Sequence, residues 1–452
     1  MYDLIVLGGG PGGVKAAELA GHRGLSACVI EKANLGGTCL NRGCIPTKAL
    51  YAHVIGHKGE REGLWERLEG VIEKLRQGNA TILKMAKTDL VRGTGVVTNW
   101  GDEKVVQVTK ADGTVTEVRG KKIIIATGAR SVRPEFEGNT LPQVLTGDYA
   151  IIDPELWDPK RNTEVETVAV LGAGVIALEM AMILQGLGKK VILLKHSDQI
   201  LRRLDGDVKK KVAQAVKKRK TEVYDYVRLH KAEQSGKGLK LTGETNGKPL
   251  EIECDRLILA SSMVPILEGF GLENGGPAVE KGCIKVDTDM ATNLPGVYAI
   301  GDVTGGAMLA HLAEYHARAC VDSFTQGTDY KVQLDHLPAC VFIEPEVAYV
   351  GLTEEECAQR GIEVKVSKSY FAANGMALAM GEGDGFVKCL ARASDGVLVG
   401  VHIIGPEAAS LLGEASVAVS NGLTARDVAL SIHSHPTLAE VMKDACERLL
   451  ED

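Results

Sequence analysis

Apolar residues in this chain come in short runs closed by glycine. "DLIVLGGG" (3–10) and "KKIIIATG" (121–128) are continuous runs of strand length, well short of the ~20 residues of a membrane span. The first sits in "YDLIVLGGGPGGVKAAELAGHRGLSACVIEK". It predicts a buried strand over Leu4–Leu7, a glycine turn, a helix with Val14, Ala17 and Ala20 on one face, and a strand ending at Glu31. The same order returns in "VETVAVLGAGVIALEMAMILQGLGKKVILLKH" (165–196). Further on, "TNLPGVYAIGDVTGGAMLAHLA" (292–313) predicts a strand ending at Gly301-Asp302. After about residue 336 the pattern changes to "VFIEPEVAYVGLT" and "GFVKCLARASDGVLVGVHIIG", followed by helical spacing to the end, which predicts a separate α+β domain. In "VKKKVAQAVKKRK" (208–220), Val208, Val212, Ala215 and Val216 form one helical stripe with lysines on the other faces. That is a solvated helix, or failing that a docking face for an acidic partner.

The two strand–turn–helix–strand units carry chemistry in their turns. The first has Gly8-x-Gly10-x-x-Gly13, with Glu31 23 residues past Gly8. Small residues there let backbone amides and a helix N-terminus approach a pyrophosphate, and the acid accepts from a ribose hydroxyl. The second has Gly172-x-Gly174-x-x-Ala177, and the position equivalent to Glu31 is Lys195, followed by His196. Two such sites in one chain point to a flavin in one and a nicotinamide in the other.

The bulk numbers narrow the class. A chain of 452 residues is too long for one core, and roughly three domains is the prior. A net charge of −7 and 4% aromatics give no general attraction to nucleic acid or anionic lipid. The ten cysteines are scattered singly except for Cys39 and Cys44 in "LGGTCLNRGCIPTKAL". With no targeting pattern at the start, that usage suits a reducing cytoplasm. The close pair has three possible fates: a metal site, buried core, or a redox-active dithiol.

Taken together, these segments resemble the pyridine nucleotide–disulfide oxidoreductases, most closely their dihydrolipoamide dehydrogenase branch. "GGTCLNRGCIPTK" is similar to the family's redox-disulfide motif and "AIGD" to its second flavin motif. "FIEPEVAYVGLTEEE" and "HIIGPEAA" resemble its dimerisation signatures, and "HSHPTLAE" its C-terminal active-site motif. The resemblance implies two Rossmann-like dinucleotide-binding domains, for FAD and NAD(P), plus an α+β dimerisation domain. It divides the chain into an FAD domain (1–147), an NAD(P) domain (148–265), a central domain (266–335) and an interface domain (336–452). It implies that Cys39 and Cys44 cycle between disulfide and dithiol, Cys39 meeting the substrate and Cys44 lying against the flavin. His435 is then the catalytic base, oriented by Glu440 and serving the disulfide of the other subunit of a homodimer. Thr437 with Glu440 also reads as a helix capping box, so one carboxylate would serve each partner only in part. By the same resemblance Gly8, Gly10, Gly13, Glu31, Lys48, Gly95, Thr127, Gly128, Asp302 and Ala310 bind FAD. Gly172, Gly174, Ala177, Glu179, Lys195, His196 and Arg202 bind NAD(P), Glu179 pairing with Lys48. No metal is implied.

The sequence departs from that branch in places. NAD-dependent relatives carry an acid where this chain has Lys195. Lys195, His196 and Arg202 place donors and positive charge near the ribose 2′ position, which favours NADP(H). "LASSMVPIL" (259–267) has Ser262, Met263 and Ile266 where relatives usually carry glycine, arginine and asparagine, and Leu312 stands where they often have lysine. The expected activity is lipoamide or lipoyl-protein oxidation, with docking to a glycine-cleavage or 2-oxoacid dehydrogenase complex. An NADPH-dependent reductase of low-molecular-weight disulfides, and a non-catalytic flavoprotein assembly subunit, are the alternatives.

Overall fold

Continuous apolar runs become the inner strands of parallel sheets because both faces of such strands are covered. Leu4, Ile5 and Val6 are fully buried in the strand Tyr2–Leu7, which pairs in parallel with Ala27–Glu31 and Val115–Ile125. The computed structural model describes residues 1–56, 62–158, 160–161, 165–260, 262–327 and 333–451. They divide into two compact units: Met1–Glu135 with Leu145–Val165 and Ser261–Val332, and Phe136–Val144 with Glu166–Ala260 and Gln333–Asp452.

In the first unit the sheet order is Asp89–Arg92, Ala27–Glu31, Tyr2–Leu7, Val115–Ile125, Lys104–Thr109, Thr94–Asn99, with Val297–Ala299 also paired to Val115–Ile125. The helix Pro11–His22 buries Val14, Ala17 and Ala20 as its spacing requires, in a cluster shared with Ala317, Cys320 and Val321 of the helix Ala310–Thr325. Leu312 is buried on that helix, which accounts for an apolar residue there. Of the 259–267 stretch, residue 261 lies outside the described residues. Met263–Pro265 pairs with Ala129–Ser131, and the Ser131 hydroxyl donates to the Met263 sulfur at 3.3 Å.

The second unit repeats the nucleotide-binding pattern. Glu222–Tyr224, Lys190–Leu194, Thr167–Leu171 and Arg256–Leu259 run parallel in that order, with the helix Val175–Gly186 following the second glycine turn. The helix Gly206–Lys218 buries Val208, Val212 and Val216 and exposes Lys217 and Lys218. An antiparallel meander, Val227–Ser235, Gly238–Thr245 and Lys248–Cys254, follows. The C-terminal part is a five-stranded antiparallel sheet in the order Ala339–Val341, Glu346–Gly351, Leu398–Gly405, Phe386–Arg392, Val364–Tyr370. Helices Ala408–Ser420 and Glu440–Glu451 complete its core. This is the α/β class with two Rossmann-like folds and a C-terminal α+β part that the pattern predicts.

A buried ion cluster pins the start of the Gly206–Lys218 helix. The Lys388 ammonium, its side chain 1% exposed, donates to both Asp205 oxygens at 3.0 and 2.9 Å, to Asp207 at 2.9 Å and to Glu354 at 2.6 Å. Burial alone would lower the Lys388 pKa, but the bonds from Glu354, Asp207 and Asp205 outweigh it and leave it raised. No helix among the described residues is long and apolar enough to cross a membrane.

Candidate active site

The cysteine pair sits where two short helices meet. Cys39 lies in Gly37–Arg42, and Cys44 opens Cys44–Gly56, with Gly43 between them. Gly36 and Gly37 take positive φ, 91° and 56°, a region that suits glycine. A Cβ on Gly37 would lie 2.8 Å from the Gly10 Cα, and the Gly36 amide donates to the Gly9 carbonyl at 2.7 Å. The cysteine segment is therefore seated on the first glycine turn. Asn41 reinforces it by donating to the Leu35 and Gly37 carbonyls and accepting from Arg76. The two thiols hydrogen-bond to each other. That bond and burial push the Cys39 pKa well up, while the charge of Lys48 acts in the opposite direction. Lys48 follows Cys44 by one helical turn, in the same helix.

Around the first glycine turn the residue types are forced. A Cβ on Gly8, at φ 111°, would strike the Ala126 carbonyl at 2.3 Å, and one on Gly13 the Gly8 carbonyl at 1.9 Å. Gly10 directly precedes the helix Pro11–His22. Glu31 ends its strand, and its two oxygens accept from the Gly9 and Ala33 amides, each at 2.7 Å. Thr127 donates to the Ile266 carbonyl at 3.1 Å, Gly128 takes φ 75°, and Ala310 opens its helix. Asp302 is largely desolvated, which raises its pKa, and its carboxylate has no side-chain partner among the described residues. Gly95 differs in kind: a Cβ there would meet Leu7 at 2.7 Å and Ile30 at 3.0 Å, so core packing already explains it.

In the second unit, Gly172 at φ 140° leaves no room for a Cβ beside the Ala260 carbonyl, and Ala177 is fully buried against it. Gly174 precedes the helix that carries Glu179. Glu179 is buried and accepts from the Phe342 amide at 2.9 Å. Lys195 does not offer the open cation that its position in sequence suggests. Its ammonium pairs with Asp225 at 2.8 Å and donates to the Asp198 carbonyl at 2.8 Å, with the side chain 5% exposed. Open to solvent there are His196, Asp198, Gln199, Arg202 and Arg203.

The C-terminal segment presents His435 with its side chain 78% exposed. His435 Nδ1 lies 2.8 Å from Glu440 Oε1, while Glu440 Oε2 accepts from the Thr437 amide at 2.8 Å. One carboxylate thus serves both partners fully, an oxygen to each, which corrects the expectation of a shared, partial role. Only half of a capping box forms, because the Thr437 hydroxyl donates to the Ser434 carbonyl instead. The Thr437 amide and His435 together lower the Glu440 pKa, keeping it an acceptor for the imidazole.

Comparison with known proteins decides the family. Residues 2–317 match the pyridine nucleotide-disulphide oxidoreductase model, and residues 337–446 match the dimerisation domain of the same family. The chain belongs to the pyridine nucleotide-disulphide oxidoreductases. It is 34% identical to the dihydrolipoyl dehydrogenase of Geobacillus stearothermophilus, over 98% of this chain and 95% of that one. It is 35% identical to the leghemoglobin reductase of Vigna unguiculata, over 98% and 86%. Its fold superposes on LpdA from Mycobacterium tuberculosis with a TM-score of 0.90 at 24% identity, covering 99% of both chains. The HOCl-induced flavoprotein disulfide reductase RclA of Escherichia coli gives 0.88 at 25% identity, again over 99% of both. This oxidoreductase is a dihydrolipoyl dehydrogenase-like, FAD-dependent disulfide oxidoreductase that uses a pyridine nucleotide, and its dimerisation domain supports a homodimer.

The residues present fit FAD. The Gly8–Gly13 turn excludes side chains at its closest approaches, and Asp302 offers a desolvated acceptor in the same unit. Sequence reasoning misses Asp225, Arg203 and the Phe342 amide. Phe342 and Asp225 are identified by folding alone, since each meets its partner across more than 25 residues of chain.

Proposed function

We propose that the protein is a dihydrolipoamide dehydrogenase. The observation that carries this is the Cys39–Cys44 thiol pair in hydrogen-bond contact, with Lys48 one turn away on the same helix. A substrate thiolate attacks the Cys39 sulfur of the Cys39–Cys44 disulfide. The S–S bond breaks, a mixed disulfide forms on Cys39, and Cys44 leaves as a thiolate favoured by the Lys48 charge. The second substrate thiol then attacks the mixed disulfide, releasing cyclic oxidised lipoamide and the Cys39 thiolate. The first attacking thiol gives its proton to His435 from the second subunit of a homodimer, and the exposed imidazole passes it to solvent before taking the proton of the second thiol. Glu440 holds the imidazole by Nδ1 and leaves Nε2 free to act as base. Bound FAD supplies the two-electron exchange between the dithiol and the nicotinamide. Gly8, Gly10, Gly13, Glu31, Thr127, Gly128, Asp302 and Ala310 would hold it; Gly172, Gly174 and Ala177 would hold the nicotinamide dinucleotide.

The absence of an acid at position 195 and the exposed His196, Arg202 and Arg203 support NADP(H) as the pyridine nucleotide. The same feature supports a second reading, an NADPH-dependent reductase of a low-molecular-weight disulfide. Docking to a glycine-cleavage or 2-oxoacid dehydrogenase complex, and the four-domain division with boundaries at 147, 265 and 335, belong to the first reading. The test is kcat/KM for lipoamide and for glutathione disulfide, each with NADH and with NADPH. Lipoamide is expected to exceed glutathione disulfide by at least about 10²-fold; the reverse order would establish the second reading instead.

A further inference from the structure

We propose that Asp225 is a specificity-determining residue of the pyridine-nucleotide site. By holding the Lys195 ammonium in a buried ion pair, it limits how tightly the 2′-phosphate of NADPH is bound, so the site takes both coenzymes. This rests on the reading that NADP(H) binds at the second glycine turn.

The two residues are neighbours by construction of the sheet. Leu194 pairs with Tyr224 in register, so Lys195 and Asp225 emerge side by side at the carboxyl ends of adjacent parallel strands. That edge is where a Rossmann fold presents the ribose. Two backbone bonds fix the arrangement: the Lys195 amide donates to the Tyr224 carbonyl at 2.8 Å, and the Val227 amide to the Lys195 carbonyl at 2.7 Å. The Lys195 ammonium donates to the Asp198 carbonyl and has Asp225 Oδ1 as its counter-charge at 2.8 Å. The lysine side chain is 5% exposed and the aspartate side chain 40%. An approaching phosphate therefore meets a pair of zero net charge whose more accessible member is the anion.

His196 does not offset this. Its Nδ1 lies 3.2 Å from the Val227 carbonyl, which can only accept, so Nδ1 carries a proton. In the neutral ring Nε2 is then an acceptor, suited to a ribose hydroxyl. The attraction for a 2′-phosphate is left to Arg202 and Arg203, both exposed and without an ion pair among the described residues.

The flavin-loaded enzyme, its Asp225→Asn and Lys195→Met variants and the double variant are titrated calorimetrically with NADP⁺ and with NAD⁺. The kcat/KM values with NADPH and NADH are measured alongside. Asp225→Asn is expected to tighten NADP⁺ binding about tenfold, roughly 1.4 kcal/mol, and to leave NAD⁺ within about twofold. In the Lys195→Met background the same change is expected to do nothing. An unchanged NADP⁺/NAD⁺ ratio in Asp225→Asn, together with a tenfold loss of NADP⁺ affinity in Arg202→Ala, overturns the role of Asp225 and leaves the NADP(H) reading standing. If neither variant moves the ratio, the NADP(H) reading falls as well. Flavin content and the melting midpoint verify folding, and Asp225→Ser is the second variant. The unmutated enzyme gives an independent readout: adenosine 2′,5′-bisphosphate is expected to bind within about tenfold of 5′-AMP, and a preference near 10³ contradicts the proposal.

Discussion

The Glu440 carboxylate shows how a single side chain does two jobs. Oε1 orients His435 and Oε2 closes the turn through the Thr437 amide. An amide has one oxygen to accept with and no charge, so Glu440→Gln leaves one of these donors unanswered and removes the counter-charge for the imidazolium. The kcat for dihydrolipoamide is expected to fall about 10²-fold with flavin content unchanged; an undiminished rate would remove Glu440 from the proton-handling role. His316 offers a test in pH. Burial lowers its pKa to about 4, and its Nδ1 accepts from the Gly301 amide at 3.2 Å, which requires the neutral ring. Between its ordinary value near 6.5 and about 4, the unfolded chain binds more protons than the folded one, so stability falls as pH drops through that window. The loss amounts to about 3 kcal/mol at most. The melting midpoint of His316→Gln is expected to fall less between pH 7 and pH 5 than that of the unmutated chain.

At the scale of elements, the Lys388 cluster decides how firmly the Gly206–Lys218 helix is held. Lys388→Met would leave Asp205, fully buried, facing an apolar side chain, and removing one partner of a buried pair typically costs about 3–5 kcal/mol. A thermal melt should register this as a clear destabilisation; a midpoint within a degree of the unmutated chain would show that the cluster carries little. None of this is visible in sequence, because Asp205 and Lys388 are brought together by folding across 183 residues. The glycine turns are legible for the opposite reason: their motif is local and Gly13 is forced by the Gly8 carbonyl within one strand–turn–helix unit, although Gly8 itself is hemmed in by Ala126, which follows a distant strand. The meander at 227–254 lies between these cases. Its alternation is present, with Val227, Leu229 and Ala232, then Leu239 and Leu241, then Leu250 and Ile252 buried. Its second turn has Asn246-Gly247 with φ 50° and 73°, a hairpin signal that a reading directed at dinucleotide motifs passes over. Lys195 shows the limit of motif logic: its place after the strand is legible, but its pairing with Asp225 depends on which strand lies alongside.

At the scale of the whole molecule, the proposed mechanism makes the homodimer the catalytic unit, with His435 of one subunit serving the cysteines of the other. A Cys39→Ser subunit and a His435→Gln subunit are each expected to be inactive as homodimers. Refolded together at random, half the dimers are mixed and each mixed dimer has one complete site, which restores about a quarter of the unmutated activity. Recovery of none would place His435 and the cysteines it serves in the same subunit. The central claim is narrower: a disulfide between Cys39 and Cys44 carries electrons from the dithiol substrate. Anaerobic mixing of the flavin-loaded Cys44→Ser enzyme with excess dihydrolipoamide tests it most directly, followed by the flavin absorbance. Reduction is expected to be slower than in the unmutated enzyme by about 10³-fold or more, with Cys39 left as a thiol because no S–S bond is present for the substrate to attack. Flavin reduction at the unmutated rate would contradict the claim.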